Sequence, residues 1–467
     1  MRRYERYAEE LTTMIRRGEL PPGARLPSVR GASSSRRISP STVFEAYYLL
    51  QARGLIESRP RSGFFVTSIR APATRAAAPK PRSRQVDVSE LVFEVLGASR
   101  KPGVVPLGSA FPSAELFPLK QLARALGTGM HRLEPARIVE DLPPGNERLR
   151  RQIALRYALS GTQVSADEII ITNGAMEALT LSLQAVTQPG DAVVVESPTF
   201  YAALQALERL KLKAIEIQCD RQHGLDIHAL AAALVRHDVK ACWLMPSFQN
   251  PTGSNMPEAS RRALMQLLTT HAVPVIEDDV YAELYHGLHP PRPLKSFDTK
   301  GLVMHCGSFS KCLAPGYRVG WVAAGRYAQA IERAKIMTTL ATAVPSQQAL
   351  AEYLAHGGYE RHLRKLRRTL ARQRDLAARM AARYLPAGTT LSSPEGGYSL
   401  WVEFPAGVDT LQMHWDALDR GINIAPGQIF SATRKFGNCL RLNFGHPRDA
   451  RFEPALRAIG ELASRKA

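Results

Sequence analysis

The chain has 467 residues, 45% hydrophobic and 22% charged, the proportions of an ordinary folded protein long enough for two or three domains. Its net charge is +19, and residues 1–85 hold 17 lysines and arginines against 6 glutamates, which is more than half of that excess. Five cysteines without Cys-x-x-Cys spacing argue against a disulfide framework or a zinc site, and no apolar run approaches the length of a membrane span. A reducing, cytoplasmic setting without membrane insertion is therefore expected, with a basic N-terminal module suited to a polyanion.

In chain order, Tyr4, Tyr7, Ala8, Leu11, Met14 and Ile15 recur at helical spacing, which predicts a helix over 2–17 stopped by Gly18. A turn at Pro21-Pro22-Gly23 precedes a second short helix, and Ser39-Pro40 caps and opens a third that runs through Val43, Phe44, Tyr47, Leu49 and Leu50. The second helix contains Gly31-Ala32-Ser33-Ser34-Ser35, poor helix formers, so it is expected to be short. Residues 55–58 and 63–66 read as two strands around Arg59-Pro60-Arg61-Ser62. Three helices and a basic hairpin make a winged helix-turn-helix over residues 1–68. In such a module the third helix enters the major groove of double-stranded DNA, so Ser39, Ser41 and Thr42 are placed for contacts there. Arg30 can reach base or backbone, and the wing residues Arg59, Arg61, Ser62 and Gly63 supply charge and close approach.

Residues 69–85 are rich in Ala, Pro and Arg without apolar periodicity and read as an exposed linker. From Val86 to the C-terminus, helical patterns alternate with apolar strands, which predicts an α/β body around a mostly parallel sheet. Strands are expected at 168–172, 192–196, 213–218, 241–246, 273–277, 303–305 and 319–323. Gly174-Ala175-Met176 follows the first of these and opens a helix whose free amides can hold a phosphate. Phe200, in Glu196-Ser197-Pro198-Thr199-Phe200-Tyr201, offers a face for stacking on a ring, and Tyr201 can point at substrate. Asn250 stands in an Asn-Pro-Thr-Gly turn that aims its amide inward.

Asp278 lies at the carboxyl end of an apolar strand, where open α/β sheets bind ligands, with Tyr281 three residues on. A metal-binding acidic cluster with His286 or His289 is the competing reading. Lys311 sits in Gly307-Ser308-Phe309-Ser310-Lys311, with Arg318 seven positions on. An amine among phosphate ligands suits a lysine that holds an aldehyde cofactor, pyridoxal 5'-phosphate, as a Schiff base, while Ser308, Ser310 and Arg318 grip the phosphate. Arg441 is a cation on an apolar strand and needs an anion, either a substrate carboxylate or a structural ion pair.

Taken in order, Gly174-Ala175-Met176, Phe200, Asn250, Asp278 with Tyr281, Ser308-x-Ser310-Lys311, Arg318 and Arg441 resemble the fold-type I aminotransferases, over residues 86–467. Residues 1–68 resemble the GntR-type DNA-binding domain, through Gly23-Ala24-Arg25-Leu26-Pro27-Ser28, Ser41-Thr42-Val43 and Ser62-Gly63-Phe64-Phe65-Val66. Together they are similar to MocR-type transcriptional regulators. The resemblance implies a large domain with a mostly parallel sheet plus a smaller α+β domain, a homodimer, pyridoxal phosphate and an amine, amino-acid or cofactor effector. It gives Lys311, Asp278 and Tyr281 catalytic roles and Arg441 and Tyr201 substrate contacts. A catalytically active aminotransferase with an accessory head is the alternative. Many relatives carry a tyrosine where this chain has Glu140, which departs from a phosphate contact made across the dimer.

Overall fold

The computed structural model describes residues 3–17, 19–21, 23–59, 63–67, 83–98, 103–136, 142–220, 223–446 and 449–464. Two compact units result, residues 1–79 and 80–467. In the first, α1 (Arg3–Arg16), α2 (Val29–Arg36) and α3 (Pro40–Ala52) precede β1 (Ile56–Arg59) and β2 (Gly63–Val66), paired antiparallel. Tyr7, Leu11 and Ile15 of α1 close on Val43, Tyr47 and Leu50 of α3 in one small core. As its composition predicts, α2 has only eight residues; Ser28 caps it by accepting from Gly31 N at 3.1 Å. Phe44, counted with the apolar stripe of α3 in the sequence, instead lies on its outer face and is 56% exposed.

The second unit is built on a nine-stranded sheet. Its main path runs through strands Ser83–Gln85, Lys213–Asp220, Ala192–Ser197, Val239–Leu244, Val275–Asp278, Val303–Ser308, Gly320–Ala323 and Ile169–Thr172. Five strands from Lys213–Asp220 to Val303–Ser308 are mutually parallel. Gly320–Ala323 runs against both its neighbours, so Ile169–Thr172 points the same way as the five. Their near-continuous apolar runs, such as Val193-Val194-Val195, fit strands covered on both faces. Ser83–Gln85 falls inside the segment read as linker and begins the body earlier than Val86, bonded antiparallel to the sheet edge. A three-residue edge strand held by backbone hydrogen bonds leaves no apolar periodicity to read.

A smaller antiparallel sheet joins Thr390–Leu391, Ser399–Glu403, Cys439–Asn443 and Ala425–Pro426, with the 27-residue helix Gly358–Tyr384 beside it. Because the parallel strands share one direction, the loops after Thr172, Ser197, Leu244, Asp278 and Ser308 all emerge at one edge. That edge is where a ligand meets side chains from many strands.

Candidate functional site

Lys311 follows the strand Val303–Ser308 and reaches back over this edge. Its Nζ donates to Ala110 O at 2.8 Å and sits 4.0 Å from the centre of the Phe111 ring. Burial, with Arg441 and Arg318 nearby, lowers the amine from its usual 10.5 to about 7, against the opposing pull of Asp278. Asp278 is buried, and its Oδ1 has no hydrogen-bond partner among the described residues. Desolvation and then the neighbouring Asp279 raise its carboxyl to about 7. Tyr281 is buried against Tyr398 with ring centres 5.4 Å apart, and desolvation raises its phenol to about 12.

Arg441 stands on Cys439–Asn443 opposite Trp401 and is 1% exposed. Nη1 donates to Asn250 Oδ1 at 2.8 Å and Nη2 to Gly108 O at 2.7 Å, while Nε has no partner. No carboxylate of the described residues lies within ion-pair reach, so the structural ion pair allowed by the sequence is not made. With Oδ1 of Asn250 taken by Arg441, its amide nitrogen remains to donate toward a ligand. The ring centres of Phe200 and Tyr201 are 4.7 Å apart, and Tyr201 packs on Phe430 at 5.8 Å.

Arg318 closes the other end. Its Nη1 donates to Ser310 Oγ at 3.4 Å and its Nη2 to Asn173 O at 3.3 Å. Gly174 has φ +85°, and a Cβ there would lie 2.5 Å from Arg318 Nη2. A Cβ on Gly320 would lie 2.6 Å from the carbonyl carbon of Gly174. The helix Ala175–Val186 therefore begins with bare backbone beside the Arg318 guanidinium, which also reaches Ser310, a concavity suited to a phosphate. A buried carboxylate with one unpartnered oxygen, a depressed amine and this cradle form a donor set that fits pyridoxal phosphate.

Sequence reasoning missed the segment 108–111, Tyr398 and Phe430. Gly108 O, Ala110 O and Phe111 cover the site from a loop without periodic signal, and Tyr398 donates to Ala110 O at 2.9 Å. The metal reading through His286 does not survive: its Nε2 lies 3.2 Å from Gly397 O and its Nδ1 3.4 Å from Arg374 Nη1. Among the described residues, the acid–histidine group that comes together is Glu277, Asp279 and His305. Both oxygens of Glu277 there accept from the amides of Leu294 and Lys295, at 2.6 and 3.0 Å.

In the head, Ser39 Oγ accepts from Thr42 N at 3.2 Å, and its contacts to Ser41 Oγ and Thr42 Oγ1 are 2.9 and 2.8 Å. Ser39 thereby caps α3 at its exposed start. Arg30 is exposed on α2, and Gly63 at φ +100° begins β2, paired with Arg59. Arg61 and Ser62 lie outside the described residues, as does Glu140. Phe44 and Tyr48, 56% and 69% exposed one turn apart on α3, were not foreseen as surface groups.

Fold and site together define an aminotransferase-like body carrying a winged helix-turn-helix head. Residues 141–459 match the model of the aminotransferase class I and II family, and residues 3–66 that of the gntR family of bacterial regulatory proteins. The chain is 46% identical to the HTH-type transcriptional regulator YdcR of Escherichia coli over 99% of both chains. It is 38% identical to YjiR, another HTH-type transcriptional regulator of that organism, over 100% of this chain and 99% of that one. Among solved structures, a multiple substrate aminotransferase from Thermococcus profundus matches at TM-score 0.76 and 29% identity, covering 81% of this chain and 96% of its own. The α-aminoadipate aminotransferase of Thermus thermophilus, complexed with N-(5'-phosphopyridoxyl)-L-leucine, matches at TM-score 0.71 and 27% identity, covering 81% and 99%. The chain belongs to the GntR-type regulators with an aminotransferase class I and II domain, the MocR architecture, and is a transcriptional regulator of that type.

Proposed function

We propose that this regulator holds pyridoxal 5'-phosphate on Lys311 and senses an amino acid through the same pocket, as a homodimer on DNA. Bound there, the cofactor supplies an electrophilic carbon for an amine and a ring that withdraws electrons. Lys311, with its amine near neutrality, is a nucleophile at physiological pH and can hold or move a proton at Nζ. Asp278 Oδ1 is the acceptor for the ring N–H, and Asn250 and Tyr281 serve the ring's phenolic oxygen. Phe200 is assigned to the ring face, and Ser308, Ser310, Arg318 and the 174–176 amides to the phosphate. The segment 108–111 keeps water from the amine.

The observation that carries the amino-acid assignment is Arg441, a buried guanidinium with a free N–H and no acid beside it. An α-carboxylate satisfies it by a charge-assisted bond, and Tyr201 flanks the substrate side. The amine of an entering amino acid would compete with Lys311 Nζ for the cofactor's electrophilic carbon, and a differential affinity of that amino acid for two arrangements of the body would shift operator binding. The test titrates the cofactor-loaded protein with a panel of amino acids while recording its visible absorption and its affinity for upstream DNA. Both change together for the true effector. Borohydride treatment followed by peptide mass spectrometry finds the cofactor fixed to Lys311, and Lys311→Ala abolishes that adduct. Turnover of an amino acid with an oxo-acid at enzyme-like rates, without effect on DNA, overturns the sensor reading.

A further inference from the structure

Residues 86–467 carry a positive surplus of only 8. The helix Gly358–Tyr384 alone holds nine lysines and arginines against Glu360 and Asp375, a net +7. Its apolar side is fully used, with Leu363, Leu366 and Leu370 buried in the main core of the body. At about 100° per residue, Arg361, Arg364, Lys365, Arg368 and Arg372 fall within one stripe on the opposite side, and Arg379 and Arg383 continue it. All seven are exposed. At about 1.5 Å per residue the stripe is about 33 Å long, close to one turn, roughly 34 Å, of duplex DNA.

A solvated helix face normally mixes signs and gains from oppositely charged pairs one turn apart. Here Arg361 with Lys365, Arg364 with Arg368, Arg368 with Arg372 and Arg379 with Arg383 set like charges at that spacing, a cost that an anion lying over them removes. None of the seven makes an ion pair among the described residues. The helix's other two arginines are matched: Arg367 bonds Glu283 at 2.9 Å and Arg374 bonds Asp375 at 2.7 Å. A membrane surface does not suit the stripe, because an interfacial helix buries its apolar face in lipid and this one is packed into the core. Six of the seven cations are arginines, whose guanidinium fork meets a phosphate with two hydrogen bonds.

We propose that this helix is a second DNA-contacting surface, in the body rather than the head, that holds the phosphate backbone of duplex DNA without reading bases. The polyanion is DNA because the same chain carries the gntR-family head, so that once the head is bound the body meets duplex at a high effective concentration.

The test compares two full-length variants. One combines Arg361→Gln, Lys365→Gln, Arg368→Gln and Arg372→Gln. The control combines Arg209→Gln, Lys213→Gln, Arg236→Gln and Lys300→Gln, which removes as many cations from elsewhere on the body, none of them in an ion pair among the described residues. Equal net charge isolates the stripe from the overall field. Fluorescence anisotropy on a long upstream duplex, over a potassium chloride series, is expected to show the stripe variant losing about 3–4 from the slope of log affinity against log salt for each chain on the DNA. Its affinity at about 0.15 M salt falls at least about tenfold, and the control's less than about threefold. Upstream and scrambled duplexes lose equally, because phosphates carry no sequence. The pair Arg361→Gln with Arg372→Gln gives about half the change in slope and decides the matter if the fourfold variant does not fold. Equal slopes in the stripe variant and the control overturn the proposal. Native DNA binding with lost binding to phosphatidylserine vesicles assigns the stripe to lipid and overturns it too, and a loss confined to the upstream duplex overturns the backbone assignment. The visible band of the cofactor-loaded protein reports the Lys311 pocket separately, so a failure here leaves the cofactor reading intact.

Discussion

Asp278 and Lys311 show opposite consequences of the same burial. The Asp278 carboxyl is raised from 3.8 to about 7, so without a cofactor its ionisation in the folded chain costs more than in the unfolded one. That cost is absent below the unfolded value, grows as pH rises and is complete above about 7. Lys311, lowered to about 7, has the reverse dependence: the cost of burying its cation fades as pH rises from there toward 10.5. Asp278→Asn is therefore expected to raise the melting temperature of the cofactor-free protein by about 2–5 °C, more near pH 8 than near pH 5. Scanning fluorimetry at the two pH values checks this. The same variant, loaded with cofactor, is expected to lose its visible band on dialysis faster than the native chain. Asp278 was legible as a carboxylate at the end of an apolar strand, and Lys311 as an amine among serines ahead of Arg318. Their covering by Ala110 and Phe111 was not, since those lie 201 and 200 positions from Lys311 in the chain.

The helix α3 combines a local signal with a tertiary one. Its start was readable from Ser39 and Pro40, because capping depends on residues within one turn. Which apolar residues face inward was not. The packing of α1 selects Val43, Tyr47 and Leu50 and turns Phe44 and Tyr48 to solvent. An exposed aromatic pair on the helix expected to enter the major groove suits the C5-methyl groups of thymine there. Phe44→Ala is expected to weaken operator binding by about 1–2 kcal/mol. Replacing operator thymines by uracil, which lacks the methyl, weakens the native protein comparably and the variant far less. Fluorescence anisotropy on matched duplexes measures both, and equal losses in the two proteins would show that Phe44 touches no thymine.

Across the whole molecule, charge asymmetry and strand direction do most of the work. The head's positive surplus makes its DNA affinity depend on salt through counterion release. Arg53 is held by Glu9 at 3.0 Å, whereas Arg30 makes no ion pair among the described residues. Arg30→Ala is expected to reduce the slope of log affinity against log salt by about one, and Arg53→Ala to leave it nearly unchanged. A potassium chloride series with each variant tests the difference. In the body, parallel strands deliver Gly174, Phe200, Asn250, Asp278 and Lys311 to one edge, although 137 residues separate the first from the last.

By itself, the sequence determined the two-part layout, most of the strands, the Ser39 cap of α3 and the residue types brought together around Lys311. Each of these rests on composition, short-range periodicity or a motif within a few residues. Only the tertiary structure decided that Arg441 lacks an acid partner, that Asn250 turns its oxygen to it, and that Ser83–Gln85 joins the sheet. It alone placed Asp279, His305, Tyr157 and Trp321 in one hydrogen-bonded row. Those facts depend on register and on contacts between distant segments, which a linear pattern does not encode because packing, not local propensity, chooses the partner of each buried polar atom.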